Sequence, residues 1–477
     1  MTIDGINISL VTSDSRKVVP GSLFVAVRGF SGDGHDFIPQ AVEKGASVVM
    51  YDRDDLTPEM LDALGKVKAI KVDDSRLALA QAADEFYDHP SRKLRLAGIT
   101  GTNGKTTTVT LLYQLFMGLG YNCGLLSTIA NYVGRKETET TNTTSDPVTI
   151  NRLMAQMVDE GCEYCFMEVS SIGMEQQRVA ALDFRVGIFS NLTHDHLDYH
   201  KTFAEYLRCK KLFFDGLPKG ASAIINIDDK NGPVMVQNTA AKVVTYAIGK
   251  MADHSCRIME ESFDGMLLRI DGEEVWTKLI GRHNAYNLLA IYCAALELGA
   301  SKDEALVGIS KLESAKGRLE TLRGPRKLSV ILDYAHTPDA LENVLATLRD
   351  IACEGRQIVA VFGCGGDRDR TKRPEMAAVA EKYADRIILT SDNSRSERTE
   401  DIIAQMKAGL SPRGLAKTLC IADRAEAIRT AIMTAPDGAA ILLAGKGHET
   451  YQIIGTEHRH FDEREIVRDI FNSIEAL

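Results

Sequence analysis

The stretch that most constrains this chain is residues 94–110, LRLAGITGTNGKTTTVT. Leu94, Leu96 and Ile99 read as a short buried strand. Glycines follow at 98, 101 and 104, and Lys105-Thr106-Thr107 opens a helical stretch. A strand, a glycine-rich turn and a helix N-terminus make an anion site. Glycines let backbone N–H groups converge on a phosphate, and the helix dipole adds favourable potential there. In such a P-loop, Lys105 would reach the outer phosphates and the Thr106 hydroxyl would bind Mg²⁺. The generic pattern asks for a glycine five residues before Gly104, and Ile99 stands there instead.

At 477 residues the chain exceeds what one core supports, so several domains are expected. A formal charge of −10 argues against a protein that coats nucleic acid. The nine cysteines are scattered and odd in number, which disfavours a disulfide framework. Cys162 and Cys165 form an isolated C-x-x-C beside an apolar run and read as strand packing. No run is long enough to span a bilayer and no basic-then-apolar leader opens the chain. A cytoplasmic location with no membrane partner is expected, and no long coiled pattern argues against a monomer.

Three sections each alternate strands and helices. Residues 1–90 carry the strands SLFVAV (22–27), ASVVMYD (46–52) and KAIKV, with polar loops at Asp14-Ser15-Arg16 and FSGDGHDF (30–37). His89 precedes Pro90 and is expected to be extended. Residues 91–313 contain the P-loop and a hydroxyl-rich loop, Thr140 to Thr144 with Asn142. Their strand EYCFMEV (163–169) ends in Glu168, where a second Mg²⁺ ligand belongs. RVGIFSN (185–191) leads to Thr193-His194-Asp195-His196-Leu197-Asp198-Tyr199-His200, a cluster too polar for packing. In FAEYLRCKKLFFD (203–215), helical spacing puts Tyr206, Lys210 and Phe214 on one face, and by itself Lys210 reads as a surface lysine. Residues 314–477 carry strands KLSVILDYAH, RQIVAVFGCGG, DRIILTSD and GAAILLAGKG. Polar loops follow each strand, as in an open, mostly parallel sheet that binds ligands beyond its strand ends. There, Arg368 and Arg395 are candidates to clamp a carboxylate, and Glu449 to meet an amine.

Taken in order, GITGTNGKTTT, TTNTTSDP, MEVSS, NLTHDHLDYH, YLRCK, GRHNAYN, GRLE, DYAHTPDAL, FGCGGDRDRTKRP, DNSR and AGKGHE resemble the Mur ligase family. The likeness is to members that add the third residue of the peptidoglycan stem peptide, and it covers nearly the whole chain. It implies three α/β domains: a small N-terminal domain (1–90) for the UDP-sugar, a central P-loop ligase domain (91–313) with a mostly parallel sheet, and a C-terminal Rossmann-like domain (314–477) for the amino acid. It also implies ATP, Mg²⁺, UDP-N-acetylmuramoyl dipeptide and meso-diaminopimelate as ligands. Gly101, Thr102, Asn103, Gly104, Lys105, Thr106 and Thr107 would bind ATP with Asn284, Arg318 and Asp333. Thr106, Glu168, His196 and Lys210 would serve the metals, Lys210 as a carbamate, and Lys105 would join the last three in catalysis. Ser15, Asn142, Thr143, Thr144, Ser171, Gln176 and Arg178 would contact the sugar-peptide. Arg368, Asp392, Asn393, Ser394, Arg395, Gly445 and Glu449 would grip the amino acid.

Three positions depart from that pattern. Ile172 replaces a His after the two serines, and His283 stands where a Phe is common. Ser394 replaces the proline of the diaminopimelate motif, which is expected to loosen the loop, while Arg395 is kept. An arginine is the natural partner for the extra carboxylate of diaminopimelate and would reject lysine. The L-lysine-adding relative, a folylpolyglutamate-type ligase and, from another class, a nucleotide-dependent switch ATPase are the alternatives. The expected chemistry is carboxylate activation by ATP as an acyl phosphate, then attack by an amine, with domain closure keeping water off the intermediate.

Overall fold

The computed structural model describes residues 1–476 apart from 30–31, 139, 141, 194–196 and 353–354. The chain divides into two compact units, residues 1–256 with 286–309 and residues 257–285 with 310–477.

The first unit opens with a parallel sheet of Leu10–Thr12, Ser22–Val25, Ala46–Tyr51 and Lys68–Lys71, paired in chain order. Their alternating apolar residues split into two cores. One holds Phe24, Ile38 and Val49 and the other Val11, Leu23 and Val48. The helix Ser75–Phe86 covers the second core through Leu79 and Ala82, with Asp74 accepting from its first N–H groups. At its far end the chain departs from expectation. His89 is left-handed rather than extended, with φ +51 and ψ +55. Its N–H donates to Asp84 O at 2.8 Å, closing the helix, and its ring Nδ1 meets Asp84 Oδ2 at 2.6 Å. These two bonds outweigh the preference that Pro90 imposes.

A second sheet follows in the same unit. Parallel strands Cys123–Leu126, Tyr164–Glu168, Arg95–Thr100, Phe184–Phe189, Ser222–Asn226 and Lys242–Ala247 lie in that spatial order. An antiparallel pair, Asn131–Val133 and Lys136–Thr138, extends one edge. These strands are apolar on both faces, as a sheet covered by helices on each side requires. The order of strand addition reverses at Arg95–Thr100: later strands are laid first to one side of it, then to the other. Ligands bind beyond such a switch point. Cys162 and Cys165 are buried free thiols, as strand packing requires.

The second unit has a hairpin, Gly265–Ile270 with Glu273–Thr277, and a six-stranded sheet. In spatial order its strands are Glu320–Arg323, Ser329–Asp333, Ala440–Ala444, Ile358–Phe362, Arg386–Leu389 and Thr418–Cys420. Only the first pairing is antiparallel. The carboxyl ends of the four central strands therefore lie side by side. Helices Pro338–Ile351 and Lys372–Tyr383 cover one face, and Arg424–Thr434 with Glu463–Glu475 cover the other. Among the described residues no helix is long and apolar enough to cross a membrane.

Arg424 is fully buried in this unit. Its Nε donates to Glu463 Oε1 at 2.8 Å, and its other nitrogens reach Ser391 O and Ala444 O at 2.9 and 2.8 Å. Arg424→Met strands a buried carboxylate at Glu463, so unfolding free energy should drop by about 3–5 kcal/mol. The double variant Arg424→Met/Glu463→Met should recover most of it, read as the urea midpoint of the transition reporting on this unit.

Candidate active site

The helix Lys105–Gly118 starts directly after the glycine turn. Gly104 caps it with φ +88, and a Cβ there would lie 2.5 Å from Asn287 Oδ1, so only glycine fits. The loop is fastened to the strand Phe184–Phe189 and its exit. Ser190 Oγ donates to Asn103 O at 2.7 Å, Asn103 N to Asn191 Oδ1 at 3.0 Å, and Thr102 N to Asn191 O at 2.8 Å. Lys105 folds over the loop, donating to Gly101 O at 2.9 Å and Thr102 O at 2.8 Å.

Glu168 sits one strand away, in register with Ile99. Its carboxylate accepts from the Thr106 hydroxyl and from Thr128 N, both at 2.8 Å. Its backbone carbonyl accepts from Thr144 Oγ1 at 2.9 Å, and that hydroxyl accepts in turn from Ser170 N at 2.9 Å. Thr128 Oγ1 donates to Thr143 Oγ1 at 3.0 Å. One carboxylate thus ties the P-loop helix to the hydroxyl-rich loop. Thr128 carries no motif and was not legible in the sequence. A hydroxyl beside a carboxylate is a hard-oxygen donor set and fits Mg²⁺. Among the described residues no group of three or more His, Cys, Asp or Glu could hold a metal.

Lys210 is not a surface lysine. It is 1% exposed, its Nζ donates to Gly101 O at 2.8 Å, and it lies 4.6 Å from the Tyr206 ring centroid. The helical face expected for Tyr206, Lys210 and Phe214 is real, and it faces inward. His196 lies outside the described residues, as do His194 and Asp195. His200 is described, and its Nε2 meets Ser171 Oγ at 2.9 Å.

Lys105, Lys210, Asn142, Thr143, Thr144, Ser170, Ser171, Ile172 and Arg178 line one cleft of about 180 Å³. Arg178 is positioned by Thr144 O at 2.5 Å and by two bonds to Gln176 Oε1 at 3.1 and 2.7 Å. Burial pushes its guanidinium below its ordinary value, though an arginine stays charged. Gln176 is held by Tyr199 OH at 3.2 Å. Ser15 is not among the residues lining the cleft and begins the short 3-10 helix Ser15–Lys17 that follows the first strand of the opening sheet. It is buried, with Oγ donating to Gln40 Oε1 at 2.7 Å.

In the second unit, Asn284 donates to Ile280 O at 2.8 Å. Asp333 ends its strand and accepts from Leu319 N at 2.8 Å and Ala335 N at 2.9 Å. Burial pushes its carboxyl above the usual range, against the pull of Arg318. Arg318 lies 5.3 Å from the Tyr334 ring centroid.

The expected amino-acid residues gather at the ends of neighbouring strands. Gly445 has φ +112, and a Cβ there would lie 2.6 Å from Asp392 Oδ2. Asn393 Nδ2 donates to Glu449 Oε2 at 3.0 Å. Arg395 Nη1 donates to Gly366 O at 2.9 Å. A Cβ built on Gly365 would lie 3.1 Å from Arg395 Nη1 and 3.6 Å from Arg368 Cγ, so both arginines flank that glycine. Arg368 is exposed and Ser394 is buried. The turn around Ser394 is not loose. Arg395 N donates to Ile453 O at 3.2 Å, Gly455 N to Arg395 O at 2.8 Å, and Ile453 N to Asn393 Oδ1 at 2.9 Å. Gln452 Nε2 adds a bond to Asp392 O at 3.0 Å. The hairpin Tyr451–Ile454 with Glu457–His460 thus does what a proline ring would do.

Comparison with known proteins accords with this layout. The family model described as Mur ligase family, catalytic domain matches residues 7–87. The Mur ligase middle domain matches 99–295, and the Mur ligase, glutamate ligase domain matches 317–447. A protein of Parabacteroides distasonis named UDP-N-acetylmuramoyl-L-alanyl-D-glutamate--2,6-diaminopimelate ligase is 50% identical, over 99% of this chain and 96% of its own. A solved structure of a ligase of that name is 31% identical with a TM-score of 0.73, covering 100% of this chain and 98% of that one. The MurF ligase of Thermotoga maritima, solved in complex with ADP, shares the fold at 17% identity and a TM-score of 0.60, over 99% of each chain. With three matched domains and a relative of this identity over its full length, the chain belongs to the Mur ligase family and has its three-domain α/β fold.

Proposed function

We propose that the protein is an ATP-dependent, ADP-forming amide ligase of peptidoglycan synthesis that adds meso-diaminopimelate to UDP-N-acetylmuramoyl-L-alanyl-D-glutamate. The observation that carries this is the cleft in which Lys105 and Lys210 meet Asn142, Thr143, Thr144, Ser171 and Arg178. A phosphate-directed lysine and a set of carboxylate- and amide-binding groups open into one space. The names of the relatives supply the substrates.

In this reading the domain limits are 1–90, 91–313 and 314–477. Gly101 to Thr107 cradle the phosphates of ATP, and Asn284, Arg318 and Asp333 are likewise assigned to ATP binding. Arg178, Asn142, Thr143, Thr144, Ser171 and Gln176 hold the dipeptide, and Ser15 the UDP end. Thr106 and Glu168, with His196 and a carbamylated Lys210, would hold Mg²⁺, which when bound supplies charge neutralisation for phosphoryl transfer. The D-glutamate carboxylate oxygen attacks the γ-phosphorus. The bond to the β–γ bridging oxygen breaks, ADP leaves and an acyl phosphate remains. Lys105 stabilises the charge on the transferring group, which is mostly positioning and electrostatics. The free amine of the amino acid then attacks the acyl carbon. It loses a proton and inorganic phosphate departs, leaving the amide.

Arg368, Asp392, Asn393, Ser394, Arg395, Gly445 and Glu449 select the amino acid. Arg395 meets the carboxylate that diaminopimelate has and lysine lacks. A monomer is part of this reading. ATP and a UDP-sugar as substrates point to the cytoplasm, and the net charge of −10 disfavours nucleic acid as a partner.

The decisive measurement is phosphate release with UDP-muramoyl dipeptide and ATP, comparing meso-diaminopimelate, L-lysine and no amino acid. Release only with diaminopimelate is expected, and release without any amino acid would leave a switch ATPase. Arg395→Ala should raise KM for diaminopimelate about 100-fold while changing KM for ATP little, because one charge-assisted pair is lost. Lys105→Met should lower kcat by about 100-fold or more with the fold intact, read by the same assay beside a thermal melt.

A further inference from the structure

We propose that Lys446 is a positioning residue of the amino-acid site, holding the Asn393 amide and the Glu449 carboxylate in the orientation that grips a diamino acid. The inference rests on the reading of that site given above. Lys446 is 0% exposed, and none of the matched motifs assigns its side chain a role.

The geometry leaves little freedom. Asn393 Oδ1 accepts from Ile453 N at 2.9 Å and from Lys446 Nζ at 3.2 Å. Two donors on one atom fix which end of the amide is oxygen, so Nδ2 is turned to Glu449 Oε2 at 3.0 Å. Lys446 Nζ also donates to that same Oε2, at 3.3 Å. Asp392 Oδ1 lies 3.8 Å from the ammonium on another side. One cation therefore lies within hydrogen-bonding distance of Asn393 and Glu449 and 3.8 Å from Asp392.

Asp392 and Glu449 bring two carboxylates to the site, and the Lys446 ammonium is hydrogen-bonded to one and 3.8 Å from the other. Arg424 also acts on both through space, but the neighbouring guanidiniums direct their hydrogen bonds elsewhere. Arg395 donates to Gly366 O, and Arg424 to Glu463, Ser391 O and Ala444 O. Burial pushes the phenols of Tyr334 and Tyr451 up and the Cys364 thiol up to about 12, so all three stay neutral.

The test uses the full chain in the phosphate-release assay, with KM measured for each substrate. For Lys446→Met, KM for diaminopimelate should rise about tenfold or more near neutral pH, from the loss of charge-assisted hydrogen bonds. KM for ATP and the UDP-dipeptide should stay within about twofold, since those sites are independent. Lys446→Arg keeps the charge and its donors and should recover most of the wild-type KM for diaminopimelate. An unchanged KM for diaminopimelate in Lys446→Met, or an equal rise in all three KM values, overturns the proposal. If Lys446→Met does not fold, Lys446→Gln is measured in the same way, and a wild-type KM for diaminopimelate there also overturns the proposal. A wild-type protein that ignores diaminopimelate would instead defeat the functional reading on which this rests.

Discussion

The central cleft depends on the buried side chain of Glu168. It is placed by strand pairing with Ile99, and its Oε1 accepts from both the Thr106 hydroxyl and Thr128 N. Its own carbonyl then orders Thr144 and, through it, Ser170. A buried carboxylate is costly unless its oxygens are satisfied. The satisfaction here comes from the first turn of the P-loop helix and from Thr128. Removing the carboxylate would loosen that helix start and Thr128, whereas Thr144 would keep its backbone acceptor.

Around that anchor two ammonium groups share an acceptor. Lys105 and Lys210 both donate to Gly101 O. They come from helices that begin nearly a hundred residues apart, Lys105–Gly118 and Phe203–Asp215. Bringing two cations to one carbonyl concentrates positive potential at the mouth of the loop, in surroundings where solvent screens it poorly. Such an arrangement suits a polyphosphate. It also suits conversion of one amine to a carbamate, which would turn that position from a cation into an anionic oxygen ligand.

Much of this was legible in the chain. Gly-Lys-Thr after an apolar run gives a strand, a loop and a helix because each local preference agrees with the next. Glu168 was legible as a polar residue closing an apolar strand. Lys210 was half legible: spacing gave its face but not its burial, which depends on the carbonyl of Gly101 far earlier in sequence. Lys446 lay within a recognised polar loop, yet nothing in a single sequence says that a lysine there points into a sealed cluster. His89 was misread because the restraint of a following proline was weighed without the Asp84 carbonyl and carboxylate that hold it left-handed. In each case the missing partner belonged to another turn or strand, where periodicity and motif spacing carry no information.

Ser394 shows how magnitudes decide such questions. A proline there would fix one φ angle and remove about 1 kcal/mol or less of unfolded-state freedom. The turn is instead held by four hydrogen bonds to residues 452–455, each worth on the order of 1 kcal/mol. Arg395 has a left-handed φ of +48, with both backbone polar groups tied to that hairpin. The direction of its guanidinium is thus set by backbone pairing and not by the preceding ring. The hairpin thus holds Arg395 in place by a different route from a proline.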